Sequence, residues 1–240
     1  MQLYYIRHGQ SENNLLWEQT GSNARRSVDP ELSPLGQQQA ALLADFIKSR
    51  GQGVVKHDID FQNVAGFNLT HIYTSLMVRA VATAQPIARA LGLPLVAWKD
   101  LHETGGIYQE NKETGEFIGM PGKNRAYFEG CYPDLVLPAD LGPEGWWNRP
   151  QEIPIEWFPR AKHVLAELLR RHGGTEHRVA LVSHGGFYQY FLGAVLGLPE
   201  VKNNWFGFSN TAISRIDFNP PVTTIVYLNQ VDFLPTSLIT

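Results

Sequence analysis

The sequence predicts an α/β fold: a mostly parallel central sheet flanked by helices on both faces, with an inserted cap segment at about 105–155. Three observations predict it. Apolar runs of strand length alternate with longer stretches in which apolar residues recur at helical spacing. That alternation marks βαβ units, whose crossovers make neighbouring strands parallel. With 240 residues, 43% of them hydrophobic and 18% charged, the chain is long and apolar enough to bury one sizeable core, so residues 1–240 read as a single domain.

The elements follow in order. Residues 2–6 are a short apolar run ending at a polar turn, the form of a buried strand. Ser33 and Pro34 open a helix, a capping residue followed by proline at the first helical position. Leu35, Leu42, Leu43, Phe46 and Ile47 then recur at helical spacing until Gly51. Residues 51–67 interrupt the rhythm before a strand at 69–74. Ser75 is placed to cap a helix running to about Leu91, which Pro86 is expected to kink or interrupt. Residues 93–98 are a further apolar run, 157–171 an amphipathic helix, 178–182 a strongly apolar strand and 185–196 a helix. Strands at 211–218 and 223–228 close the chain. Residues 105–155 are rich in Gly, Pro and aromatics and lack periodicity. A structureless loop of that length is rare in a compact domain, so the segment is expected to carry structure of its own and to cover the active site.

Net charge is −3, which gives no sign of the basic stripe of a nucleic-acid binder. The single cysteine, Cys131, permits no intrachain disulfide. The first residues, MQLYYIRHG, lack a basic region followed by an apolar run, and no stretch reaches the length of a membrane span. These features point to a cytoplasmic protein with neither membrane nor nucleic acid as a partner. Oligomeric state is not readable.

Ligands of parallel α/β sheets sit at the carboxyl ends of strands. Arg7-His8-Gly9 and Ser183-His184-Gly185 both follow predicted strands, so two distant histidines emerge at one sheet edge. Phosphoryl transfer through a covalent intermediate needs a nucleophile, cations for the phosphate oxygens, fixed orientation and an acid for the leaving oxygen. A neutral imidazole is a competent nucleophile near pH 7. His8 stands beside Arg7; Arg79, after another strand, can fork phosphate oxygens; Gly9 lets backbone approach a ligand; Glu103, after the 93–98 run, can serve as the acid.

Five segments, YYIRHGQSENN (4–14), LSPLGQQQA (32–40), YTSLMVRAVATA (73–84), LHETGG (101–106) and LVSHGG (181–186), together resemble the histidine phosphatase superfamily of phosphoglycerate mutase-like fold. SNTAISRIDF (209–218) and TIVYLN (224–229) are similar to its closing strands. The resemblance covers most of the chain in order and is weak across 51–68 and 105–156. It implies that His8 is the phosphorylated nucleophile. Arg7, Arg79 and His184 then bind the phosphoryl group, with Asn14 and Gly185 beside it, and Glu103 is the proton donor. It implies a small phosphorylated substrate, no cofactor and no metal. The family often has Gly-x-Trp-Glu-Gly after the acid, where this chain has Gly105-Gly106-Ile107-Tyr108; that departure bears on substrate contacts more than on the acid.

The function expected is hydrolysis of a small organic phosphate monoester. The alternatives are cofactor-dependent phosphoglycerate mutase-type transfer and a catalytically inactive phosphate-ligand binding protein of the same fold. Mutases of this kind tend to carry His-Gly-Asn where this chain has His184-Gly185-Gly186. A metal hydrolase is disfavoured because HExxH, His-x-His and cysteine pairs are all missing. His57, His71, His163, His172 and His177 have no motif around them and receive no role; His102 and the Arg25-Arg26 pair are minor candidates. From Glu103 to Glu156 there are four Lys/Arg and ten Asp/Glu, which argues against a polyanionic substrate. Tyr108, Tyr127, Phe128, Trp146 and Trp147 in this stretch either stack on an organic group or form a local core, the second being favoured.

Overall fold

Strand β1 (Gln2–Arg7) alternates between two cores, as a strand buried on both faces must. Tyr4 and Ile6 pack into one hydrophobic cluster, and Leu3 and Tyr5 into the other. The computed structural model describes residues 1–51, 60–202 and 205–240. His57 and much of the interruption expected at 51–67 lie outside the described residues.

After β1 come helices α1 (Glu12–Thr20) and α2 (Pro34–Ser49), strand β2 (His71–Thr74), helix α3 (Val78–Leu91) and strand β3 (Leu95–Ala97). The central segment holds a small hairpin of β4 (Tyr108–Glu110) and β5 (Phe117–Gly119), helix α4 (Arg125–Cys131) and strand β6 (Leu135–Val136). Then follow α5 (Pro154–His172), β7 (Arg178–Ser183), α6 (Gly185–Val195), β8 (Ile213–Asn219) and β9 (Val222–Gln230).

Seven strands form one sheet in the order β6-β3-β2-β7-β1-β8-β9. The pairings from β6 to β1 are parallel, and those of β1 with β8 and β8 with β9 are antiparallel. The expected mostly parallel α/β sheet is therefore observed, with α2 and α3 over one face and α5 and α6 over the other.

Two local expectations are corrected, and one element is new. Helix α3 begins at Val78 rather than beside Ser75, and its cap residue Met77 makes no side-chain bond. The Ser75 hydroxyl serves the Met77 N–H (3.2 Å) and His184 instead. Pro86 does not interrupt α3, which runs through it to Leu91. Helix α1 was not foreseen: it buries no residue, so it leaves no apolar stripe in the sequence. A capping box between Ser11 and Asn14 fixes its start.

The aromatic residues of the central segment divide. Phe128, Trp146 and Trp147 are buried in the same cluster as Tyr4 and Ile6, so they join the main core instead of forming a separate core of the segment. Strand β6 extends the main sheet beside β3, so the segment is welded to the fold at that edge. Among the described residues, no helix is long and apolar enough to cross a membrane.

Candidate active site

The register of β1 against β7 builds the centre of the site. Arg7 pairs with Ser183, so the next residues, His8 and His184, leave the sheet side by side with ring centroids 5.1 Å apart. The segment leading into the antiparallel neighbour β8 supports the same turn, because Asn210 donates to the His8 carbonyl at 2.9 Å.

His8 is held in a defined tautomer. Its Nδ1 lies 2.6 Å from the Gly9 carbonyl, which can only accept, so Nδ1 carries the hydrogen. Nε2 then presents a lone pair, towards which Arg79 Nε points from 3.1 Å. Burial, then Arg79 and Arg7, hold the His8 pKa well below the ordinary histidine range, so the ring is neutral at pH 7.

The cations come from two elements. Arg7, at the end of β1, donates through one terminal nitrogen to the Phe208 carbonyl, while its buried Nε has no partner among the described residues. Arg79, on the first turn of α3, lies 3.8 Å from Asp29, a buried carboxylate that also accepts the Val78 N–H at 3.2 Å. Burial lifts the Asp29 pKa to about 6 against the pull of Arg79.

His184 is fully buried behind His8. Its Nε2 is 2.9 Å from Ser75 Oγ, which accepts the Met77 N–H and whose proton has no other acceptor among the described residues. Those partners leave the hydrogen on Nδ1, a buried donor without a partner among the described residues. Burial, and then Arg79, push its pKa well below the ordinary range.

Glu103 follows β3 and a single 3₁₀ turn (Lys99–Leu101). Its carboxylate sits on the amino end of α6, accepting N–H groups from Gly186 (3.0 Å) and Phe187 (2.7 Å) as well as Thr104 (2.8 Å). These are donors that a helix start leaves unpaired, and together they fix the position of the carboxyl group. A Cβ on residue 186 would stand 2.5 Å from Glu103 Oε1, so glycine there is what lets the carboxylate seat. Behind it, Arg160 forks the buried Glu152 (2.6 and 2.8 Å) and donates to the Asp100 and His102 carbonyls (2.8 and 2.9 Å). That network anchors the residues leading into Glu103 onto α5.

Arg7, His8, Asn14, Arg79 and Glu103 line one cavity of about 300 Å³. His184 and Gly185 do not line it; they lie beneath, with Gly185 packed beside the Arg7 side chain. Asn14 is at the wall, but its Oδ1 is engaged by the Ser11 N–H at 3.1 Å. Gly9 serves packing: a Cβ there would meet the Gly36 carbonyl oxygen of α2 at 2.6 Å. Sequence reasoning missed Asn13, Trp17 and Asn23, which reach the wall from the unforeseen α1 and the loop after it. It also missed Asp29. Arg26 lines the wall too and donates to the Tyr108 hydroxyl at 2.6 Å.

The family model described as histidine phosphatase superfamily (branch 1) matches residues 3–57 and 60–231. The protein provisionally named phosphoserine phosphatase 2 of Hydrogenobacter thermophilus is 29% identical over 232 residues, covering 95% of each chain. The protein provisionally named phosphoglycerate mutase GpmB of Proteus mirabilis is 27% identical over 219 residues, covering 91% of this chain and 85% of its own. Among solved structures, a phosphoserine phosphatase of Entamoeba histolytica in complex with 3-phosphoglyceric acid aligns with a TM-score of 0.60 at 21% identity, over 98% of this chain and 99% of its own. A mycobacterial glucosyl-3-phosphoglycerate phosphatase in complex with VO3 aligns with a TM-score of 0.56 at 23% identity, over 90% of each chain. At such identities the structural likeness is one of fold.

Proposed function

The chain belongs to the histidine phosphatase superfamily, and from that premise we propose that it hydrolyses a small organic phosphate monoester through a phosphohistidine on His8. One observation carries the reading: a neutral imidazole with Nδ1 tied to the Gly9 carbonyl and Nε2 turned to Arg79, in a cavity that also holds Arg7 and Glu103. Nε2 attacks phosphorus and the bond to the substrate oxygen breaks. Arg7, Arg79 and the Nδ1–H of His184 share the charge on the phosphoryl oxygens, and Glu103 gives its proton to the leaving oxygen. Glu103 then takes a proton from the water that attacks phosphohistidine, releasing inorganic phosphate and restoring Nε2. No step calls for a metal ion.

The central segment covers this site and sets which ester enters. Two side-chain contacts support that role: Tyr108 with Arg26, and Tyr127 with Glu31 at 3.0 Å, both bridging to the loop after α1. The acidic balance of the segment and the cavity's modest size favour a substrate with a single phosphate.

A mutase differs only in what accepts the phosphoryl group, and the relative from Proteus mirabilis carries that name. Gly186, where mutases tend to have asparagine, favours water as the acceptor. Rapid-quench labelling with a ³²P-monoester tests the reading. Acid-labile, alkali-stable label on His8 that passes to inorganic phosphate is expected, and His8→Ala should remove both. A serine or aspartyl adduct would overturn the nucleophile. Label passing mainly to added phosphoglycerate would establish the mutase.

A further inference from the structure

A second histidine cluster lies at the other end of the sheet. His71 is the first residue of β2, His172 the last of α5, and His177 immediately precedes β7. The phosphate cavity opens at the carboxyl ends of the strands, so the six residues of β7 separate the two clusters by about 20 Å. One ring nitrogen from each of the three lies within 4.8 Å of the others. The closest pair, His172 Nδ1 and His177 Nδ1, is 3.0 Å apart.

The outer contacts fix which nitrogens converge. Thr70 Oγ1 donates to the Arg178 carbonyl (3.1 Å) and accepts the Arg178 N–H (3.0 Å), so towards His71 Nδ1 (2.8 Å) it acts as an acceptor. His71 therefore carries its hydrogen on Nδ1 and presents the Nε2 lone pair. Tyr73 Oη engages His172 Nε2 at 3.1 Å, leaving Nδ1 to face His177. Two of the three rings thus have the arrangement of metal-bound histidines, in which the outer nitrogen is held by a hydrogen bond. The nearby Arg171 is already engaged, bonding Glu167 and stacking over Trp98.

We propose that His71, His172 and His177 form a binding site for a zinc-class divalent cation at the amino-terminal edge of the sheet. An imidazole set selects zinc, copper or nickel over magnesium or calcium. Nitrogen ligands of a tetrahedral zinc ion stand about 3.3 Å apart, so His172 and His177 need open only slightly, and their shared hydrogen moves to His177 Nε2. His71 and His177 are only half-buried, which leaves a fourth position for water. The bound ion would tie the end of α5 to the starts of two neighbouring strands, away from the reacting phosphate.

Chelator-stripped full-length protein should be dialysed against Zn²⁺ alone, with Co²⁺ absorption as a second readout. The wild type should bind one ion here and melt at a higher temperature with Zn²⁺. His177→Gln and His71→Gln, at half-exposed positions, should weaken binding by more than the about 10–100-fold that loss of an outer partner costs, and Tyr73→Phe by about that amount. Both ligand variants should keep wild-type phosphatase turnover, and His8→Ala should keep the affinity for Zn²⁺. Absence of binding in the wild type, affinity unchanged in both ligand variants, or loss of binding in His8→Ala would each overturn the proposal.

Discussion

Glu103 and Gly186 form a couple in which one residue's chemistry depends on the other's lack of a side chain. An alkoxide is a poor leaving group, so a positioned carboxylic acid contributes on the order of 10²–10⁴-fold to its departure. Glu103→Gln keeps the shape and removes the acid. It should lose far more rate on alkyl phosphates than on p-nitrophenyl phosphate, whose phenolate leaves without help. Equal losses on the two esters would make Glu103 a positioning residue. Gly186→Ala tests the seat rather than the acid. Its Cβ would fall 2.5 Å from Glu103 Oε1 and 2.8 Å from Thr104 Oγ1, so the carboxylate must move off the α6 amino end. The same leaving-group signature should appear, smaller than in Glu103→Gln, with Glu103 itself intact. A Gly186→Ala enzyme with wild-type rates on both esters would show that the seat is not needed.

The elements show a similar reliance on close backbone contact. Helix α2 meets the turn after β1 where Gly9 and Gly36 face each other; a Cβ on Gly36 would lie 2.0 Å from the Gln10 carbonyl oxygen. Backbone cannot swing aside as a side chain can, so Gly36→Ala should destabilise the fold by about 1–3 kcal/mol. Urea unfolding should show a lower midpoint at unchanged slope, and an unchanged midpoint would show that α2 slides freely. This contact also marks how far the sequence could be read. Residues that repeat with the period of their element were legible: the 2–6 and 178–182 strands, α2 by its apolar stripe and Ser33 cap, and α5 by its amphipathic face. The four groups His8, Arg7, Arg79 and Glu103 were legible as a set, and they do share one cavity. Helix α1 was not, because none of its residues is buried and its hold is a capping box. Asp29 was not, because a lone aspartate in a loop has no period and meets Arg79 only through the tertiary fold. Gly9 was read as room for a ligand, whereas the neighbour it admits is α2, a contact that no local pattern encodes.

At the scale of the whole molecule, the burial that prepares the nucleophile also limits stability in acid. His8, His102 and His184 are all buried, and burial, followed by Arg79, Arg160 and Arg79 respectively, holds each well below the ordinary histidine pKa of 6.5. Below pH 6.5 the unfolded chain protonates these rings while the folded chain does not, so the unfolded state binds more protons and stability falls with pH. Asp29 acts in the opposite sense. Its folded pKa of about 6 lies above the ordinary 3.8, so between those values the folded chain keeps a proton that the unfolded chain releases. Its contribution therefore grows as pH falls from about 6 and offsets part of the histidine loss. Each proton so linked changes stability by about 1.4 kcal/mol per pH unit. His184→Gln removes one buried ring that resists protonation, and its amide can still meet Ser75. Between pH 6.5 and 5 its stability should fall less steeply than that of the wild type, by about 1.4 kcal/mol per pH unit. Asp29→Asn should steepen the fall below pH 6, since the offsetting proton is gone. Urea midpoints taken across this range separate the two effects. Parallel curves for all three proteins would show that His184 and Asp29 each ionise alike in the folded and unfolded chain.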